Sequence, residues 1–412
     1  MLLLIRYNLM QRALLVGWKN TMTSEYDILI CGGGMIGSAL ASLLAPHGFR
    51  IALVEAHQPV DYNASQTFDL KVAALSPHSA KVMQVSGAWD ILNQMRLCPY
   101  RRMRVWEVAG FGDLTFNANQ IGASELGHIV ENRLVQLSLW QALSRYENVS
   151  FICPATPVAF EQHHQVSRVT LDNGQQLSAK LIVGADGPQS KVRQSFGIGV
   201  NRGQYQQACL VASVDTKLGQ QDITWQRFVP HGPQAFLPML GQHGSVVWYH
   251  QVDQARALSK LSNAELSKKI MEEFPKELGP IKVTAKASFG LQKQHAQQYS
   301  RDGVVLVGDA AHVINPLAGQ GVNLGFQDVD CLAKLLTQAS LQGENFASNE
   351  VLKRYQDQRK FANSIMLHSM DAFHHGFSQT FGPSKWLRNL ALATAKVPAI
   401  KKQVIKYAMG MK

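Results

Sequence analysis

The sequence predicts an α/β chain in which a parallel-sheet domain is split by an inserted antiparallel sheet and followed by C-terminal helices. Three observations predict it. The chain opens with an apolar strand, a glycine turn, a small-residue helix and a second apolar strand, which is a βαβ unit. Between about Tyr205 and Phe289 the texture changes to short strands of alternating character. Past that region a buried-strand pattern returns at Val304 to Val307, and helices dominate from Val322 onward.

With 412 residues the chain has room for two or three domains of roughly 100–200 residues each. Hydrophobic residues at 46% and charged residues at 17% support a large core and exclude a disordered or fibrous chain. Forty Lys and Arg against 29 Asp and Glu give a net charge of +11, which suggests an anionic partner. Nucleic acid is not that partner by any motif, which leaves a membrane surface or a phosphorylated ligand. Cys31, Cys98, Cys153, Cys209 and Cys331 lie far apart without a CxxC pair. They read as free thiols of a reducing compartment, not as a zinc site or disulfide scaffold.

Met1 to Thr21 is apolar but broken by Arg6 and Arg12, short of the roughly 20 residues a membrane span needs. It reads as an untranslated or unstructured leader, with an amphipathic surface helix as the rival. Tyr26 to Cys31 is a buried strand, Met35 to Leu44 a helix stopped by Pro46-His47-Gly48, and Arg50 to Val54 a second strand closed by Glu55. Asn132 to Tyr146 has helical periodicity. Phe151 to Leu177 alternates around Asp172-Asn173-Gly174, a hairpin signal, and Leu181 to Val183 is another buried strand. Ala208 to Val214, Thr224 to Val229, Ala235 to Leu240 and Ser245 to Tyr249 read as strands of the inserted sheet, followed by a helix from Ser262 to Glu273.

Gly32-Gly33-Gly34-Met35-Ile36-Gly37 matches G-x-G-x-x-G between a strand and a helix, with Glu55 at the end of the next strand. In that context Gly32 serves a tight turn, Gly34 lets the backbone approach a pyrophosphate, and Gly37 permits close helix–strand packing. Glu55 suits a ribose diol and disfavours a 2′-phosphate. A second motif, Gly308-Asp309-Ala310-Ala311-His312, follows a strand and leads through Pro316 to Gly319-Gln320-Gly321-Val322-Asn323. Asp309 is placed to hydrogen-bond a ribityl chain, which a flavin has and a nicotinamide cofactor lacks. The helix started by Gly319 and Gly321 turns N–H groups toward the flavin ring, where negative charge collects on reduction. A third motif, D-G-x-x-S-x-x-R, runs from Asp186 to Arg193.

With these three motifs in order, the chain resembles the single-component flavin monooxygenases of the para-hydroxybenzoate hydroxylase class, from about Glu25 to the C-terminus. Within the class it resembles the ubiquinone-biosynthesis hydroxylases. The segments Pro99 to Met103, Thr224 to Phe228 and Ile314 to Asp330 resemble the branch that acts late, on a demethoxy polyprenyl benzoquinol. The resemblance implies a split Rossmann-like FAD-binding domain with an inserted substrate sheet. It implies FAD as cofactor, NAD(P)H or another reductant, O2 as co-substrate, and a C4a-hydroperoxide that hydroxylates the ring. A quinol ring is activated by its own oxygens, so no side-chain base is identified. The same family reading leaves open a sister enzyme acting at another ring position; another flavin enzyme of this fold, or a non-catalytic quinone-binding or assembly protein, are the readings outside it.

The implied cofactor set is Gly32, Gly34, Gly37, Glu55, Lys71, Arg133, Asp186, Gly308, Asp309, Pro316, Gly319, Gly321 and Asn323. Lys71 stands where the family has an arginine, so it keeps the charge without the planar fork. Trp225, Phe236, Pro238 and Trp248 are expected as an apolar substrate wall, and His312 is expected to be structural. His163-His164 and His374-His375 are adjacent pairs, not the i,i+4 spacing of helical metal ligands, so no metal site is expected. The expected division is a leader at 1–21, FAD-binding parts at 22–95, 126–200 and 296–345, substrate segments at 96–125 and 201–295, and C-terminal helices at 346–412. Lys385, Arg388, Lys396, Lys401, Lys402, Lys406 and Lys412 follow Asp371 without an intervening acid. That run is a candidate contact with a membrane or with a protein complex of the same pathway. The expected location is cytoplasmic and peripheral at the inner face of the membrane.

Overall fold

The structure is a computed structural model that describes residues 24–108, 113–163, 166–314 and 320–378. The leader at 1–21, the basic run from Lys385 to Lys412, Pro316 and Gly319 lie outside the described residues.

Three distant parts of the chain share one sheet. Ser24–Cys31 pairs in parallel with Ile51–Val54 on one side and Gln176–Gly184 on the other. Val149–Ile152 extends the first edge and Val304–Leu306 the second, both in parallel. All four residues of Ile51–Val54 are buried, because both faces of a parallel sheet are covered. Helix Met35–Leu44 packs close through Gly37, Ser38, Ala39 and Ala41, and rests against helices Asn132–Leu143 and Gln320–Leu341. The expected hairpin forms between Val166–Leu171 and Gln176–Gly184, with Gly174 at φ 82 in the turn.

The second sheet has eight strands, and Val200–Thr216 and Ile281–Ala296 form its long antiparallel centre. Beyond Val200–Thr216 follow His243–Gln251, Gly232–Pro238, Ile223–Val229, Arg102–Glu107 and Asp113–Asn117. Helix Asn263–Glu273 covers one face, started by a reciprocal cap in which the Ser262 hydroxyl accepts from Glu265 N–H and Glu265 accepts from Ser262 N–H. Leu258, Leu266, Ile270 and Phe274 bury that face together with Trp225, Phe236, Val246 and Trp248. Each such side chain stabilises the layer by roughly 1.5–3 kcal/mol. A small third sheet of Val72–Leu75, Gly127–Glu131 and Cys98–Tyr100 lies between the two, and its Val72 packs with Leu237 and Met103 on the opposite face of the large sheet.

Candidate functional site

Sterics fix the first glycine turn. Gly32 adopts φ +105, and a Cβ there would stand 2.4 Å from the Ala185 carbonyl oxygen. A Cβ on Gly37 would stand 1.9 Å from the Gly32 carbonyl oxygen, so the helix can start this close to the strand only with glycine. At Gly34 a Cβ would meet nothing within 4 Å. The protein needs no glycine at that point, but a ligand lying on the turn would. The Gly33 carbonyl accepts from Ser38 Oγ, Gln136 Nε2 and Trp140 Nε1, each at 2.8 Å, which pins the turn from behind. Glu55 accepts from Gly33 N–H at 2.7 Å through one carboxylate oxygen and from His57 N–H at 3.1 Å through the other. The helix start at Gly34 has no side-chain cap, so its first N–H groups remain available to an anion.

The second turn is built differently. Asp309 follows Val304–Leu306 and opens onto a cavity of about 990 Å³. Crowding by the surrounding protein raises its carboxyl above the ordinary value, and His312 opposes that shift. Gly321, on the first turn of helix Gln320–Leu341, lines the same cavity. So do Val72, Ile314, Phe289 and Leu291, which gives one cleft walled by the large antiparallel sheet, the small sheet and the segments that follow the parallel strands. Lys191, Arg202 and Lys293 bring positive charge to it.

Asp186 ends the neighbouring strand and caps the short helix after it, accepting from Val192 N–H at 3.1 Å. Its other oxygen, Oδ1, is buried without a hydrogen-bond partner, and burial raises its carboxyl against the pull of Ser190. A buried orphan acceptor, a glycine whose side-chain space is empty, and a carboxylate facing the cleft all suit a flavin dinucleotide. The residues present fit that cofactor. Arg193, the last residue of the third motif, is only 1% exposed and donates to the carbonyls of Ala310 at 2.8 Å and Pro188 at 2.9 Å. It ties the third motif to the second.

Other expected residues stand elsewhere. Arg133 donates to Asp69 at 2.9 and 3.4 Å and to the carbonyls of Val60 and Asp61, which leaves one free N–H for any ligand. Lys71 is exposed beside Val72. The Asn323 amide accepts from Ser76 N–H and Ser79 Oγ and donates to the Ala74 carbonyl, so it joins helix Gln320–Leu341 to the small sheet. Trp225, Phe236 and Trp248, expected as a substrate wall, are 5%, 2% and 4% exposed beneath the helices, and neither they nor Pro238 are among the residues lining this cleft. Strand alternation is the reason, because it turns these positions to the helix face while Leu237 and Met239 take the other. His312 Nε2 lies 2.6 Å from Asp328 Oδ2, in the interior of the protein.

The sequence reading missed Asp328, which is fully buried and central to a network of His312, Arg359 and Asn363. Burial would raise its carboxyl, but His312 and Arg359 outweigh that and hold it at about 2. The signal was present. Asp328 is an acid on the buried stripe of an apolar helix, two turns after Gly321.

Residues 25–368 match the family described as FAD binding domain. The chain is 42% identical to the 3-demethoxyubiquinol 3-hydroxylase of Escherichia coli (strain K12), over 93% of this chain and 98% of that protein. It is 32% identical to the mitochondrial ubiquinone biosynthesis monooxygenase COQ6 of Danio rerio, over 95% of this chain and 91% of that protein. In fold it is similar to p-nitrophenol 4-monooxygenase PnpA from Pseudomonas putida DLL-E4, with a TM-score of 0.76 and 18% identity over 95% of this chain and all of that one.

Proposed function

This chain belongs to the family of FAD-dependent ubiquinone-biosynthesis hydroxylases, and from that premise we propose that it hydroxylates the ring of a demethoxy polyprenyl benzoquinol at a late step. It is an FAD-dependent monooxygenase. The cleft carries the finer reading, because it joins Asp309 and Gly321 on the cofactor side to the apolar side chains of Val72, Phe289, Leu291 and Ile314. The greater likeness to the demethoxyubiquinol hydroxylase than to COQ6 supports the late step.

In this reading the parallel sheet serves the cofactor and the antiparallel sheet the substrate. The N–H groups at the start of helix Met35–Leu44 hold the pyrophosphate, Glu55 the ribose and Asp309 the ribityl hydroxyls. The start of helix Gln320–Leu341 places positive partial charge beside the ring system. Bound FAD, reduced by a nicotinamide donor, supplies the oxygen activation that transfers one atom of O2 to the quinol. The protein's part is to orient the ring and to exclude water with Phe289, Leu291 and Ile314. The quinol oxygens activate their own ring, so orientation is the main demand.

The substrate is lipid-dissolved, and none of the described helices is long and apolar enough to cross a membrane. A cytoplasmic protein docked at the inner membrane face through its positive charge, alone or within a biosynthetic complex, fits both facts. The test is oxidation of a short-chain demethoxy quinol by the purified holoenzyme under isotope-labelled O2. One labelled oxygen at the vacant ring carbon is expected. Oxygen at another ring position would assign a sister step, and reductant consumption without labelled product would remove the hydroxylase reading.

A further inference from the structure

We propose that Asp328 is the positioning residue of the flavin site, setting through Gly308 N–H and His312 the turn that presents Asp309. This rests on the reading that Asp309 holds the ribityl chain. Asp328 Oδ2 accepts from Gly308 N–H at 3.1 Å and lies 2.6 Å from His312 Nε2. Oδ1 accepts from Arg359 Nε at 2.8 Å and Asn363 Nδ2 at 3.1 Å. The two oxygens therefore divide the work. One grips the turn at both ends of the segment that carries Asp309, and the other is anchored to helix Asn349–Ser378.

The helix geometry makes the grip directional. Gly321, Gly325 and Asp328 fall at i, i+4 and i+7, on one face of Gln320–Leu341. Gly325 seats that face against the turn, since a Cβ there would stand 2.7 Å from Ile36 Cδ1 and 3.5 Å from Gly308 Cα. One rigid helix thus carries the N–H groups at the cleft and, two turns deeper, the carboxylate that holds Asp309. A network built only for stability has no need of this arrangement, because apolar residues of similar volume avoid the cost of burying charge. Other groups facing it include Tyr299, whose hydroxyl meets Asn363 at 3.3 Å, His295, whose Nε2 meets Tyr299 at 2.8 Å, and the nearby Tyr355 and Cys331.

The experiment uses the full chain stripped of flavin, with FAD titrated by fluorescence and melting followed with and without FAD. His312→Leu removes one of the two donors that link Asp328 to the turn while leaving Arg359 paired, and FAD affinity should fall about tenfold or more. His312→Gln can still donate to the carboxylate and should recover most of that loss. Apoprotein melting should change less than the stabilisation FAD adds. His312→Leu that binds FAD with wild-type affinity overturns the proposal, as does lowered apoprotein melting with unchanged affinity. Should that variant not fold, His312→Asn, whose amide falls short of Asp328, decides by the same titration. Asp309→Ala is the separate control. Wild-type affinity there removes the ribityl reading, whereas loss of FAD in Asp309→Ala alone removes only the role of Asp328.

Discussion

The two glycine turns of the parallel-sheet domain are held by opposite means. The turn at Gly32 to Gly37 is fixed mainly by close contacts, with three neutral donors on the Gly33 carbonyl, the Glu55 carboxylate on Gly33 N–H, and no room for a side chain at Gly32 or Gly37. The turn at Gly308 to His312 is fixed by a buried ionic network around Asp328. Steric fixing is insensitive to pH and salt but tolerates no added atom. Ionic fixing tolerates shape changes better, yet depends on every charge being present. A single ligand spanning both turns would meet one rigid support and one that can be tuned.

The largest expected effect breaks the steric turn. Gly37→Ala drives a methyl into the Gly32 carbonyl, and unfolding by denaturant should show a loss above about 3 kcal/mol, with little flavin retained. The second separates the turns by pH. The Asp328 carboxyl sits at about 2 in the folded chain, below its ordinary 3.8, so its contribution is full above the ordinary value and fades as pH falls through about 2. Acid unfolding should therefore remove about 2 kcal/mol between roughly pH 4 and pH 2, and Asp328→Asn should flatten that slope. Third, Glu55→Gln weakens the bond to Gly33 N–H, costing about 1 kcal/mol in thermal unfolding and a few-fold in FAD affinity. The smallest effect on stability is the most diagnostic. Gly34→Ala should leave apoprotein stability within about 0.5 kcal/mol, because its Cβ meets no protein atom, and still weaken FAD binding measurably by titration.

What was legible in the sequence follows from how local each signal is. The strand–turn–helix around Gly32 and the strand before Asp309 are written in consecutive residues, and the structure has both. The Ile281–Ala296 strand was not legible. Its alternating Lys, Thr and Gln residues give no clean apolar face, since much of it is exposed or lines the cleft. Parallel pairing of Arg102–Glu107 with Ile223–Val229 joins segments with no shared local signal. The aromatic residues Trp225 and Trp248 announced a buried face, but only the register of neighbouring strands decides which face meets the cleft. The position of Asp328 on an apolar stripe was legible, but its partners stand on three separate elements, so which groups it holds appears only once the chain is folded.

The Val304–Leu306 strand lies at one side of a sheet whose centre, Ser24–Cys31, is made first. A ribosome adding about 5–20 residues per second leaves the first turn waiting on the order of half a minute for its counterpart. Between the synthesis of Gln176–Gly184 and that of Val304–Leu306, the Ile182–Gly184 end of the strand, beyond its hairpin pairing with Val166–Leu171, has an unpaired edge, which invites association between nascent chains. Non-local pairing of this kind is also slow to form once the residues exist. Flavin that binds the completed pair of turns draws the late-folding population toward the native state by mass action. More flavin present during synthesis should therefore raise the amount of folded protein, apart from any effect on turnover.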